Sequence, residues 1–174
     1  MNDASIDVLA LDVSSVKTGW AHLAYRHIKD KNRRVRLINH GVIRPGSSVT
    51  TERLIIFEAE LKRLVYTVRP TVCVIEELNH TRNMGTVRVL GAFLGAAKKV
   101  CYEFCHADPE IVPRTHALKL VAGKGSASKD SAKEVVQELF KIDLSIYGDA
   151  DEDVADAITA GYAFVLEYAA KQKD

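Results

Sequence analysis

Leu9-Ala10-Leu11-Asp12-Val13-Ser14-Ser15-Val16-Lys17-Thr18-Gly19-Trp20-Ala21 reads as an apolar strand carrying one acid, a tight Ser/Lys/Thr/Gly turn and the start of a second strand. An aspartate inside a buried strand is costly unless a partner or a metal ion compensates it, so Asp12 is expected to have one. The strands extend over Asp7–Ser14 and Trp20–Arg26. The charged run Lys29-Asp30-Lys31-Asn32-Arg33-Arg34 reads as a hairpin loop, and Val35–Arg44 returns as a third strand.

Pro45-Gly46-Ser47-Ser48 then breaks the chain. Thr51–Arg69 is an amphipathic helix, with Leu54, Phe57, Leu61, Leu64 and Val68 on one stripe, and Pro70 stops it. Thr71–Ile75 is a short apolar strand running into Glu76-Glu77. A long helix rich in Ala and Gly covers Met84–Cys105, and a short strand follows at Glu110–Val112. Arg114–Val121 and Lys129–Phe140 read as helices flanking a Gly-Lys-Gly-Ser turn, and Glu152–Lys171 as the last helix. A meander of three strands followed by strands alternating with helices predicts an α/β fold, a mixed five-stranded sheet flanked by helices.

The 174 residues suit one domain over the whole chain, 1–174. A composition 47% hydrophobic and 27% charged excludes a disordered chain. The net charge of +1 gives no overall basic field, although a basic face and an acidic site can cancel within one domain. Cys73, Cys101 and Cys105 match no zinc spacing and are expected as reduced core thiols. With no signal peptide and no apolar run of 18 residues, a cytoplasmic protein without membrane contact is expected.

Acids from separate elements carry the chemistry. Mg²⁺ takes oxygen ligands and keeps several waters, so three or four carboxylates suffice to hold it. Asp12 is the natural bridge in a two-metal arrangement. Glu76 ends the strand after Pro70, and a parallel pairing with the first strand brings it to Asp12, whereas Glu77 points to the other face. In Asp149-Ala150-Asp151-Glu152-Asp153-Val154-Ala155-Asp156-Ala157, Asp153 and Asp156 share a helix face on the flank of the apolar stripe. Glu152 and Asp156 also share one, so spacing leaves the pair open. Acids at a helix N-terminus also stabilise it without binding anything.

The residues around these acids resemble the RuvC-type Holliday junction resolvases of the RNase H-like nuclease superfamily. The resemblance lies in Leu9–Gly19, in Val74-Ile75-Glu76-Glu77, in Gly123-Lys124-Gly125-Ser126-Ala127-Ser128-Lys129, and in Asp153-Val154-Ala155-Asp156-Ala157, in that order along the chain. It implies an RNase H-like fold and selects Asp12, Glu76, Asp153 and Asp156 as catalytic residues and as ligands of two Mg²⁺ ions, which Mn²⁺ can replace. It further implies a homodimer that places paired symmetric nicks in a four-way DNA junction.

Phosphate contacts are expected from Arg114, Lys119, Lys124 and Lys129 around the Gly-rich turn, with His116 and Lys133 beside them. Lys129 lies in a matched motif, and Lys119 matches after a one-residue shift. The stretch after Glu76, Leu78-Asn79-His80-Thr81-Arg82-Asn83, departs from the family in having no aromatic wedge, which leaves His80 and Arg82 as candidate DNA contacts. That departure keeps open a related nuclease acting on forks and flaps. An actin-like phosphate-binding ATPase and a non-catalytic DNA-binding scaffold are the alternatives of other classes. The small residues Gly85, Gly91, Ala92, Gly95, Ala96 and Ala97 make Met84–Cys105 the candidate dimer helix.

Overall fold

Strand alternation sorts the core before any helix is placed. In a computed structural model that describes residues 5–26, 35–77, 83–123 and 129–172 (the side chains of 129–131 excepted), β1 covers Ile6–Asp12, β2 Thr18–Tyr25 and β3 Val35–Ile43. β4 is Val72–Glu76 and β5 Glu110–Val112. They form one five-stranded sheet in the order β3-β2-β1-β4-β5. β1 pairs antiparallel with β2 and parallel with β4, and β4 pairs parallel with β5. This is the mixed α/β sheet expected of an RNase H-like fold.

Even-numbered residues of β1 and β4 (Val8, Ala10, Val74) face one core, and odd-numbered residues (Leu9, Leu11, Cys73, Ile75) face another. The second core is closed by α1 (Thr50–Val68) and α2 (Met84–Cys105) through Phe57, Leu61, Phe93 and Ala97. Arg69, in the left-handed conformation, ends α1 just before Pro70. Asn83 caps α2 by accepting from the main-chain N–H groups of Gly85 and Thr86, at 2.9 and 3.2 Å.

The even face packs on α5 (Asp151–Lys171), with α3 (Arg114–Ala122) and α4 (Lys129–Phe140) outside it. The sequence places the α5 aspartates on the flank of a single apolar stripe. Instead, every residue from Val154 to Gly161 is buried, Asp156 included. Ala155, Ala157, Ala160 and Ala163 are small enough for the helix to be covered on more than one side. A Cβ on Gly161 would stand 2.7 Å from the Ala10 Cβ and 2.6 Å from Leu23 Cδ1, so this glycine sets how closely α5 approaches the sheet.

Two further differences bear on function. Asp12 is the last residue of β1 rather than an interior one, which puts its carboxylate at the strand mouth. A 3₁₀ turn over Ser145–Ala150, unmarked by any periodicity, precedes α5. The cysteines are free: Cys73 and Cys101 are buried, and Cys105 is half-buried with its Sγ 3.7 Å from that of Cys73. Among the described residues no helix is long and apolar enough to cross a membrane. The expected charged loop at 29–34 lies outside the described residues.

Candidate active site

The parallel register Leu11↔Ile75 carries one step further to Asp12 and Glu76, so β1 and β4 end together with both acids on the even face, toward α5. Glu76 is buried, and Glu77 donates its main-chain N–H to the Val112 carbonyl at 2.9 Å, tying the β4 end to β5.

α5 brings the remaining acids, and Gly19 admits them. Gly19 pairs with Asp12 across β1 and β2, and a Cβ there would lie 2.0 Å from the Asp153 main-chain oxygen and 2.7 Å from the Val154 nitrogen. Only glycine lets the first turn of α5 rest against the strand. The turn that presents Gly19 is closed by the buried Thr18 hydroxyl, which accepts from the Ser14 N–H and donates to the Ser14 carbonyl, both at 3.1 Å.

The helix start is also held from outside. Lys17 Nζ bonds the Asp149 carbonyl oxygen and lies 3.3 Å from the Asp153 carboxylate. Arg44 reaches from the end of β3 to the Tyr147 carbonyl at 3.0 Å and the Asp149 carboxylate at 2.8 Å. The Tyr147 hydroxyl donates to the His40 carbonyl at 2.8 Å. The sequence reading gave no part to Lys17, Arg44 or Tyr147, since each contact spans more than a hundred residues.

These elements gather the charges of Glu76, Asp153 and Asp156 around Asp12. Burial first, and then the negative charges of Glu76, Asp156 and Asp153, push the Asp12 carboxyl well above its ordinary value near 3.8, and Arg114 opposes the shift. Asp153 and Asp156 are the α5 acids whose charges act on Asp12 in this way. Arg114, expected among the phosphate contacts, stands inside this cluster. Its Nη1 is 3.2 Å from Glu76 Oε1 and bonds Asp156 Oδ2. Burial weakens the guanidinium charge, but the Asp156 hydrogen bond and the charges of Asp156 and Glu76 outweigh it and raise its pKa.

The donor set fits a hard divalent cation: all oxygens, an excess of negative charge, and contributions from β1, β4 and α5. Among the described residues no group of three or more ligating side chains is spaced to hold a metal ion as it stands. Arg114 engages Glu76 and Asp156, and Lys17 engages Asp153.

The other expected DNA contacts are scattered or outside the described residues. Lys119 is exposed on α3. His116 pairs with Glu167 at 2.6 Å and Lys133 with Asp151 at 2.9 Å, on α5. His80, Arg82 and Lys124, and the side chain of Lys129, lie outside the described residues.

Residues 8–162 match the family model of the crossover junction endodeoxyribonuclease RuvC. The chain is 30% identical over 154 residues to the RuvC of Halorhodospira halophila, covering 88% of this chain and 86% of that one. It is 27% identical over 158 residues to the RuvC of Nitratidesulfovibrio vulgaris, covering 90% and 89%. The structure of T. thermophilus RuvC in complex with Holliday junction substrate shares its fold, with a TM-score of 0.78 at 18% identity over 94% of each chain. With the family model matched over residues 8–162, from β1 into α5, the chain belongs to the RuvC family of crossover junction endodeoxyribonucleases.

Proposed function

We propose that this protein is a Mg²⁺-dependent, structure-selective endonuclease that resolves four-way DNA junctions by paired symmetric nicks. The observation that carries the reading is the convergence of Asp12, Glu76, Asp153 and Asp156, from three elements, at one end of the sheet. The charges of Glu76, Asp156 and Asp153 all act on Asp12, which supports Asp12 as the acid that would serve both ions. When bound, Mg²⁺ supplies Lewis acidity for in-line displacement at phosphorus, leaving 5′ phosphate and 3′ hydroxyl ends.

The chain's own residues fix where the carboxylates stand. Gly19, Gly161 and Lys17 seat α5, and the β1–β4 register seats Asp12 beside Glu76. Lys119 is exposed on α3 to meet a backbone phosphate, with Lys124 and Lys129 expected to join it. Two opposed nicks require two active sites, so the protein acts as a homodimer. Along α2, Ala97 is buried, whereas Gly91, Ala92 and Gly95 are exposed, and a Cβ on either glycine meets nothing within 4 Å. That outward face supports α2 as the contact between copies.

The polar stretch after Glu76 favours a second reading with the same chemistry, in which forks and flaps are cut as well. Incubation with end-labelled four-way junction, fork, flap and linear duplex, with Mg²⁺ or EDTA, separates the two. Paired nicks in the four-way junction, faster than any cut in the others and absent in EDTA, are expected. Equal or faster cutting of forks and flaps would favour the broader substrate range.

A further inference from the structure

Arg114 is the first residue of α3, following Pro113, and its guanidinium reaches inward between β4 and α5. One nitrogen, Nη1, contacts oxygens of both Glu76 and Asp156, two of the acids proposed as metal ligands. The side chain is only 14% exposed, and its Nη2 has no hydrogen-bond partner among the described residues. The guanidinium is therefore committed to the carboxylates rather than to solvent. Among the described residues, Glu76 and Asp156 thus share Arg114, while Lys17 Nζ stands 3.3 Å from Asp153.

A guanidinium and a divalent ion repel each other and draw on the same carboxylate oxygens, so each weakens the other's hold. We propose that Arg114 is a resident counter-cation of the catalytic centre, bridging Glu76 and Asp156, that sets the divalent-ion concentration needed to load the site. The proposal rests on the reading of these acids as an ion site. It makes Arg114 a positioning residue that acts through two carboxylates.

The test is Mn²⁺ binding to the DNA-free protein, followed by electron paramagnetic resonance and calorimetry. Arg114→Met is expected to bind Mn²⁺ about tenfold more tightly than the wild type, the size of effect one partly buried neighbouring charge produces. Arg114→Lys, which keeps the charge but loses the planar fork, should fall between them. A purely structural role would loosen the site and weaken binding in both variants. Asp12→Asn separates this proposal from the reading beneath it. If the wild type binds Mn²⁺, Asp12→Asn does not, and the Arg114 variants bind no more tightly than the wild type, Arg114 has no such role and the ion site stands. If the wild type shows no saturable binding, or Asp12→Asn binds equally well, the ion site fails and the proposal fails with it. Should Arg114→Met not fold, Arg114→Lys decides: tighter binding than wild type supports the proposal, and equal or weaker binding overturns it.

Discussion

A Cβ on Gly19 would stand 2.0 Å from the Asp153 main-chain oxygen, so the residue paired with Asp12 on β2 also sets the position of Asp153 in the first turn of α5. Gly19→Ala must push the start of α5 outward or bend the turn closed by Thr18. Forcing a methyl group against packed backbone costs about 1–3 kcal/mol. A displacement near 1 Å at a catalytic group costs about 100-fold in rate. Urea unfolding and junction cleavage should both register the change, with the loss in cleavage the larger of the two.

Asp12 predicts an unusual pH dependence for the metal-free protein. Its folded pKa is raised by burial and by Glu76, Asp156 and Asp153, so the fold disfavours the ionised form. Stability from this group is fully present below the unfolded value near 3.8 and is lost as pH rises toward the folded value. Each unit of separation is worth about 1.4 kcal/mol. In EDTA, Asp12→Asn should therefore be more stable than the wild type at pH 7, with the advantage vanishing in acid. Urea titrations of both proteins at pH 3.5 and 7 check this. Equal stability at pH 7 would mean that Asp12 carries no such strain.

The thiols should be slow to react. Hydrogen bonding to Cys101, with burial, pushes the Cys73 thiol upward, and burial and the Cys73 neighbour push Cys105 up to about 12. Thiolate is the nucleophile, so its population at pH 8 is small. Labelling with a chromogenic disulfide reagent should be slow in the native protein and complete on denaturation. Rapid native labelling of Cys105 would contradict these environments.

Substitution on the outward face of α2 tests the dimer. Gly91 has open space around it, so Gly91→Arg should leave the fold intact, and any change in stability should be a gain from better helix propensity, about 1 kcal/mol. Light scattering should then show the wild type as a dimer and the variant as a monomer. A variant that remains dimeric would place the contact elsewhere.

Much of this architecture was legible in the sequence, for identifiable reasons. β1 is a short apolar run with Ser5 before it and Ser14 after it, β4 is one that starts just after Pro70, and Pro70 marks the end of α1. The sequence made the approach of Glu76 to Asp12 conditional on a parallel pairing of their strands, and the register Leu11↔Ile75 supplies that pairing. What stayed hidden depends on contacts distant in sequence. The burial of α5 on several sides shows in its alanines only once α3 and α4 are in place. The 3₁₀ turn at Ser145–Ala150 has no hydrophobic period, and its links to Arg44 and His40 join residues about a hundred apart. Arg114 is expected among the phosphate contacts with the other basic residues around the Gly-rich turn. Nothing in that spacing tells that the first residue of α3 points inward.

The account's central claim is that Asp12, Glu76, Asp153 and Asp156 form one catalytic centre. The most direct measurement is single-turnover cleavage of a labelled four-way junction in Mg²⁺ by the wild type and by Asp12→Asn, Glu76→Gln, Asp153→Asn and Asp156→Asn, with junction binding measured in parallel. Groups that act as a unit lose nearly all activity when any one is removed. Each variant is predicted to lose about a thousandfold or more in cleavage rate while still binding the junction. Near wild-type cleavage by any one of them would remove that residue from the centre, and near wild-type cleavage by Asp12→Asn would contradict the account as a whole.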